Sequence, residues 1–175
     1  VDALAHAVDP ANAEGFVNGF GPGQAGPPAA PLVEAHAEGA LRMGVQQLVL
    51  VDSDTARAGE LAERLNALYP GRRASYTPDA AGALQGASGL IHATPTGMDK
   101  LPGLPLAADL LRADLWVSEI VYFPLQTALV KTATALGCQV SNGAGMAVGQ
   151  AVGAFRHFTG HEPDAARMQA HMQAL

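Results

Sequence analysis

Four short segments carry the residue types from which a ligand site could be built. Asp52 ends the apolar run QLVLVD (47–52), and the helical pattern that follows has Arg57 in its first turn. A carboxylate there can accept hydrogen bonds from both hydroxyls of an adenosine ribose and repels a 2′-phosphate. Taken alone, such an acid is more often a helix cap or a solvated side chain. The segment HATPTGM (92–98) stops a strand at Thr94-Pro95 and turns through Gly97. That geometry brings backbone N–H groups close to a ligand, but the same letters also serve as punctuation at a strand exit. His92, at a core-strand position, reads as a buried neutral histidine rather than a general base. In SEIVYFPLQT (118–127), Tyr122 either holds its hydroxyl over a pocket or packs its ring, with Glu119 and Thr127 beside it in sequence. In NGAGM (142–146) the glycines allow close approach to a planar ring, and Gln150 on the next helix can offer its amide to a hydroxylated ligand. The plainer reading is a glycine-rich helix start with a polar face.

The elements that must position these segments alternate. Residues 47–52, 88–94 and 115–122 read as buried strands, 74–77 as a weak strand and 138–140 as a short one. Between them lie helical patterns over 55–69, 79–84 and 127–136, with Asp54 or Thr55 capping the first and Gly137 closing the last. Two more helices span 146–158 and 164–175. Alternation of this kind implies right-handed crossovers and a doubly wound parallel sheet, an α/β Rossmann-like fold whose ligands sit beyond the carboxyl ends of the strands. Before residue 41 the character changes. Gly26-Pro27-Pro28 and Ala30-Pro31 break regular structure, and only 32–44 supports a helix, with Pro31 tolerated in its first turn. Two units are therefore expected, an irregular remnant over 1–40 and a Rossmann-like domain over 41–175. Gly21-Pro22-Gly23-Gln24-Ala25-Gly26 spells GxGxxG, yet that motif persuades only between a strand and a helix. The preceding residues, 15–20, are too broken by glycine for a good buried strand. The expected sheet therefore lacks its first central strand or replaces it.

Composition narrows the function classes. Of 175 residues, 49% are hydrophobic, enough for a sizeable core, and the net charge of -6 argues against a nucleic-acid binder held by phosphate contacts. No apolar run approaches the roughly 20 residues of a membrane span. The single cysteine, Cys138, cannot form an internal disulfide, and the expectation is a cytoplasmic, acidic domain without a membrane anchor or a metal cluster.

From about residue 44 to the C-terminus the chain resembles the shikimate and quinate dehydrogenases, through ATPTGM, VYFPLQTALVKTATALG, NGAGMAVGQAVGAFRHFTG and the following EPD. The resemblance implies a nicotinamide-dependent oxidoreductase acting on a ring hydroxyl of shikimate or quinate, in the shikimate pathway of aromatic amino acid biosynthesis. It places Asp52 on the adenosine ribose and Arg57 near it. Pro95, Thr96, Gly97 and Met98 would line the cofactor, Ile120 and Gly143 would lie against the nicotinamide, and Tyr122 and Gln150 would reach the substrate. NADP-preferring members usually carry Asn-Arg-Thr after the strand that ends here in Asp52-Ser53-Asp54-Thr55, which favours NAD, with NADP the alternative.

The family commonly has Asn where His92 stands and Asp where Glu119 stands. It also takes a catalytic lysine and aspartate from an N-terminal domain. No lysine precedes Lys100 here, and Asn12 occupies the aspartate's place in a segment similar to NTDxxGF. No catalytic residue is therefore assigned. The expected function is a dehydrogenase-like domain that is weak or inactive as this chain alone. The alternatives are a non-catalytic NAD-binding or regulatory module and a truncated relic, with a homo-oligomer or a separate catalytic domain as partner.

Overall fold

The computed structural model describes residues 14–18, 30–71 and 73–174. Within them lies a six-stranded sheet in the order β3-β2-β1-β4-β5-β6. The strands are β1 (Glu14–Asn18), β2 (Gln47–Val51), β3 (Arg73–Tyr76), β4 (Gly89–His92), β5 (Trp116–Glu119) and β6 (Gln139–Ser141), all paired in parallel. The helices are α1 (Ala30–Arg42), α2 (Thr55–Leu68), α3 (Ala80–Gln85), α4 (Ala128–Leu136), α5 (Ala144–Thr159) and α6 (Ala165–Gln173), with a 3₁₀ turn at Ala108–Leu110.

The expected doubly wound parallel sheet is present, but the expected gap at its centre is not. Residues 14–18 form β1, in register with β2 from Glu14 opposite Gln47 and with β4 from Gly15 opposite Gly89. Glycine at position 15 weakens a strand in isolation. Here the backbone is hydrogen-bonded to neighbours on both sides, and such context overrides a local preference. Residues 30–42 form a helix over the same sheet, where a helix over 32–44 was expected. The GxGxxG letters at 21–26, Pro27-Pro28 and Asn12 lie outside the described residues.

Period-two alternation along the strands sends side chains to two separate cores. Leu48, Leu50, Ile91, Trp116 and Ile120 face α1 and α2, which answer with Val33, Ala37, Ala40 and Leu41 and with Ala58, Leu61, Ala62 and Leu65. These are the three-and-four spacings of one helix face. Val51, Leu90 and Val117 face the other way, onto Leu84 of α3, Leu111 and Leu115, and Leu129 and Ala133 of α4.

Helix ends follow local chemistry. Asp54, Asp79, Thr127 and Asp164 each accept the amide three residues on, capping α2, α3, α4 and α6. Gly137 closes α4 in the left-handed conformation at φ 88°.

One contact on the first face has no slack. Gly89 lies opposite Trp116 in the β4–β5 register, and a Cβ at Gly89 would collide with the indole ring. Trp116 is buried, so the ring cannot swing into solvent. Gly89→Ala is expected to destabilise the fold by about 3 kcal/mol, read from denaturant midpoints. Adding Trp116→Leu should recover part of that loss; no recovery would mean the cost arises elsewhere.

Candidate functional site at the carboxyl edge of the sheet

All the segments singled out from the sequence leave the sheet at one edge. Asp52 follows β2, residues 93–98 follow β4, residues 120–122 follow β5 and residues 142–143 follow β6. Strand order reverses between β1 and β4, and in open α/β sheets that reversal opens a crevice at the carboxyl ends of the strands.

Asp52 is 8% exposed. Its Oδ1 accepts the Asp54 amide at 2.9 Å, and Arg57 Nη2 stands 3.3 Å from Oδ2. Burial pushes the carboxyl above its usual range, opposed by the Asp54 amide and the Arg57 guanidinium. A carboxylate placed at the sheet edge against this desolvation is the kind of group expected in a ligand site. Asp54, rather than Asp52, caps α2, by accepting the Arg57 amide at 3.1 Å.

The 94–98 segment is a tight turn. Gly97 has φ 99°, a conformation other residues adopt only under strain, and its amide donates to the Leu101 carbonyl at 2.7 Å. The Met98 amide donates to Pro95 O at 3.2 Å, and the Met98 side chain is exposed.

Beneath this turn lies a polar network that local reading of the sequence did not anticipate. His92 and Glu119 are 0% and 2% exposed and lie opposite one another in the β4–β5 register. His92 Nδ1 is 2.8 Å from Glu119 Oε1. Oε1 also accepts the Val121 amide at 2.9 Å, and Oε2 accepts the Thr127 hydroxyl at 3.0 Å. The other ring nitrogen of His92, Nε2, meets the Thr94 hydroxyl. Thr94 Oγ1 accepts the Thr96 amide, and Thr127 Oγ1 accepts the Val130 amide. The expectation of a buried histidine at 92 agrees with this, but its partner, 27 residues away, carries no local signal.

The remaining residues take different places. Ile120 and Gln150 line one groove of about 570 Å³ between α1 and α5, with His36, Met43, Asn142 and Met146. Asp52, Arg57, residues 95–98, Tyr122 and Gly143 do not line it. Tyr122 is half exposed beyond β5, as is Phe123. Gly143 is required by contact: a Cβ there would lie 2.6 Å from Ile120 O and 2.7 Å from Val121 O, so only glycine lets α5 start against the end of β5. Among the described residues no three His, Cys, Asp or Glu side chains converge as metal ligands, and no helix is long and apolar enough to cross a membrane.

Asp52 also gives a pH dependence. Because its folded-state pKa is raised, folding favours the protonated form; the stability this confers is present below the ordinary carboxylate pKa and lost as pH rises through the folded value. The stability advantage of Asp52→Asn over wild type should therefore grow as pH rises from about 4. Paired denaturant titrations test this, and a difference that shrinks over that rise would show that the ion pair with Arg57 outweighs burial.

The comparisons with known proteins agree with this geometry. Residues 143–173 match the family described as Shikimate 5'-dehydrogenase C-terminal domain. The chain is 50% identical over 143 residues to a shikimate dehydrogenase (NADP(+)) of Streptomyces avermitilis, covering 81% of this chain and 49% of that protein. It is 46% identical over 129 residues to a quinate/shikimate dehydrogenase (NAD(+)) of Corynebacterium glutamicum, covering 72% of this chain and 45% of that one. A solved quinate dehydrogenase from Corynebacterium glutamicum in complex with NAD superposes with a TM-score of 0.80 at 34% identity, covering 99% of this chain and 60% of its own. The chain thus spans about half the length of the curated relatives it matches. Its sequence and its parallel sheet together make it a member of the shikimate/quinate dehydrogenase family, corresponding to the C-terminal part of those enzymes.

Proposed function

We propose that this chain is the cofactor-holding part of a shikimate/quinate dehydrogenase and that it prefers NAD to NADP. The observation that carries the reading is Asp52, a desolvated carboxylate at the carboxyl end of β2. Its acceptor oxygens suit the two hydroxyls of an adenosine ribose, and its charge opposes a 2′-phosphate in the same place. The residues present fit such a cofactor in two further respects. Gly97 lets the 94–98 turn pack close over Thr127, where a Cβ would stand 3.3 Å from its side chain, and Gly143 draws the start of α5 against residues 120 and 121.

In this reading Arg57 lies at the ribose rim, Pro95, Thr96, Gly97 and Met98 line the cofactor, and Ile120 and Gly143 back the nicotinamide. Tyr122 and Gln150 reach toward shikimate or quinate. A bound nicotinamide supplies hydride exchange at its ring, while the chain's own residues hold and orient it. The unit doing this comprises residues 41–175 together with β1 and α1, which complete the sheet. Acid/base groups for the ring alcohol would come from a substrate-holding domain, in the same polypeptide or another. The exposed rings of Tyr122 and Phe123 beyond β5 support a partner at this edge.

Thermal melts with NAD, NADP and their reduced forms test the proposal. At a hundredfold excess over Kd, NAD should raise Tm by about 5–10 °C. Asp52→Ala should weaken NAD about tenfold and spare NADP. A cooperative melt with no shift would leave a folded domain without cofactor affinity, and a larger shift with NADP would reverse the preference. Adding a family substrate domain should then restore oxidation of shikimate or quinate.

A further inference from the structure

We infer that His92 is a positioning residue for the nicotinamide end of the cofactor, acting through Thr94 and Glu119 without touching the ligand. This rests on the cofactor reading above and adds a determinant to it. Residues 95–98, placed along the cofactor, and residues 120–121, of which Ile120 is placed against the nicotinamide, both lie beyond the parallel ladder, since β4 ends at His92 and β5 at Glu119. Their backbones are instead tied to one buried ring.

On one side, Nε2 meets the Thr94 hydroxyl, whose oxygen accepts the Thr96 amide. On the other, Nδ1 meets Glu119, whose same oxygen accepts the Val121 amide at 2.9 Å. The His92 carbonyl accepts the Ile120 amide at 3.1 Å and closes the loop between the two segments. Glu119 is held in turn by Thr127, the cap of α4, so the assembly is anchored in a helix. Imidazole bridges two acceptor–donor partners on opposite edges of a rigid ring, so a change at 92 moves both segments at once. Asp52 lies just past β2, two strands from β4, and shares no hydrogen bond with the network. The nicotinamide and adenosine ends of the site are therefore set independently.

That independence supplies a test. NADH and ADP-ribose share the adenosine, pyrophosphate and second ribose, and only NADH carries the nicotinamide. The full chain is titrated with each, as wild type and as His92→Asn, which keeps a donor near the Nδ1 position and cuts the link to Thr94. Thr94→Val, isosteric but without the hydroxyl, cuts the same link from the other side and guards against a folding defect at 92. Asp52→Ala is the control, with melts confirming that each variant is folded at the temperature used.

Both network variants should weaken NADH about tenfold, the loss of one charge-assisted or buried hydrogen bond, and leave ADP-ribose unchanged. Asp52→Ala should weaken both ligands alike. Equal losses of NADH and ADP-ribose in the network variants, or no loss of either, would overturn the inference and leave the cofactor reading standing. Failure of wild type to bind either ligand would remove the cofactor reading and this inference with it.

Discussion

The architecture depends on a five-residue strand hydrogen-bonded on both sides. Among the described residues, β1 alone joins β2 and β3 to β4, β5 and β6. Without that ladder the sheet would divide into a pair and a triplet. Asp52 would then have no fixed distance to the turn after His92. A parallel strand in this position gains backbone hydrogen bonds along two edges. Those contributions offset the conformational entropy of a glycine within the strand.

The sheet edge created by this ladder concentrates polar groups where the fold can least hydrate them. His92, Thr94, Glu119 and Thr127 are all buried. A buried carboxylate or imidazole with an unmet partner costs several kcal/mol, so such groups persist only when every donor and acceptor is used. Here the chain of contacts accounts for both ring nitrogens, both Glu119 oxygens and both threonine hydroxyls. Satisfied in this way, the cluster is rigid, and it connects two loops and a helix cap that are far apart in sequence. Asp52 differs: burial raises its pKa, opposed by the Asp54 amide and the Arg57 guanidinium.

The segments that could be read along the chain were those whose signals are local. The apolar runs within 47–52 and 115–122, the three-and-four spacing in 55–69, a cap at Asp54 or Thr55 and the close at Gly137 all depend on residues within a turn or two of each other. The boundaries shifted by a few residues, and α5 starts at Ala144 because Gly143 can press against the Ile120 and Val121 carbonyls. β1 was illegible for the opposite reason. Its glycine and the surrounding Gly and Pro residues argue against a strand, and only pairing with partners more than thirty residues on in the chain makes it one.

The sequence by itself determined the α/β alternation, the apolar spacing of the helix after β2 and the identity of the acid that ends β2. It also carried the motifs that mark the family, because these are properties of residue type and spacing. Tertiary structure alone decided which strand sits at the centre and that His92 lies opposite Glu119. It likewise decided that Ile120 and Gln150 share a groove while Tyr122 stands outside it. Each of these is a question of register or of packing between distant segments. A strand shifted by one residue turns every side chain to the other face, so such contacts exist only once the sheet has formed.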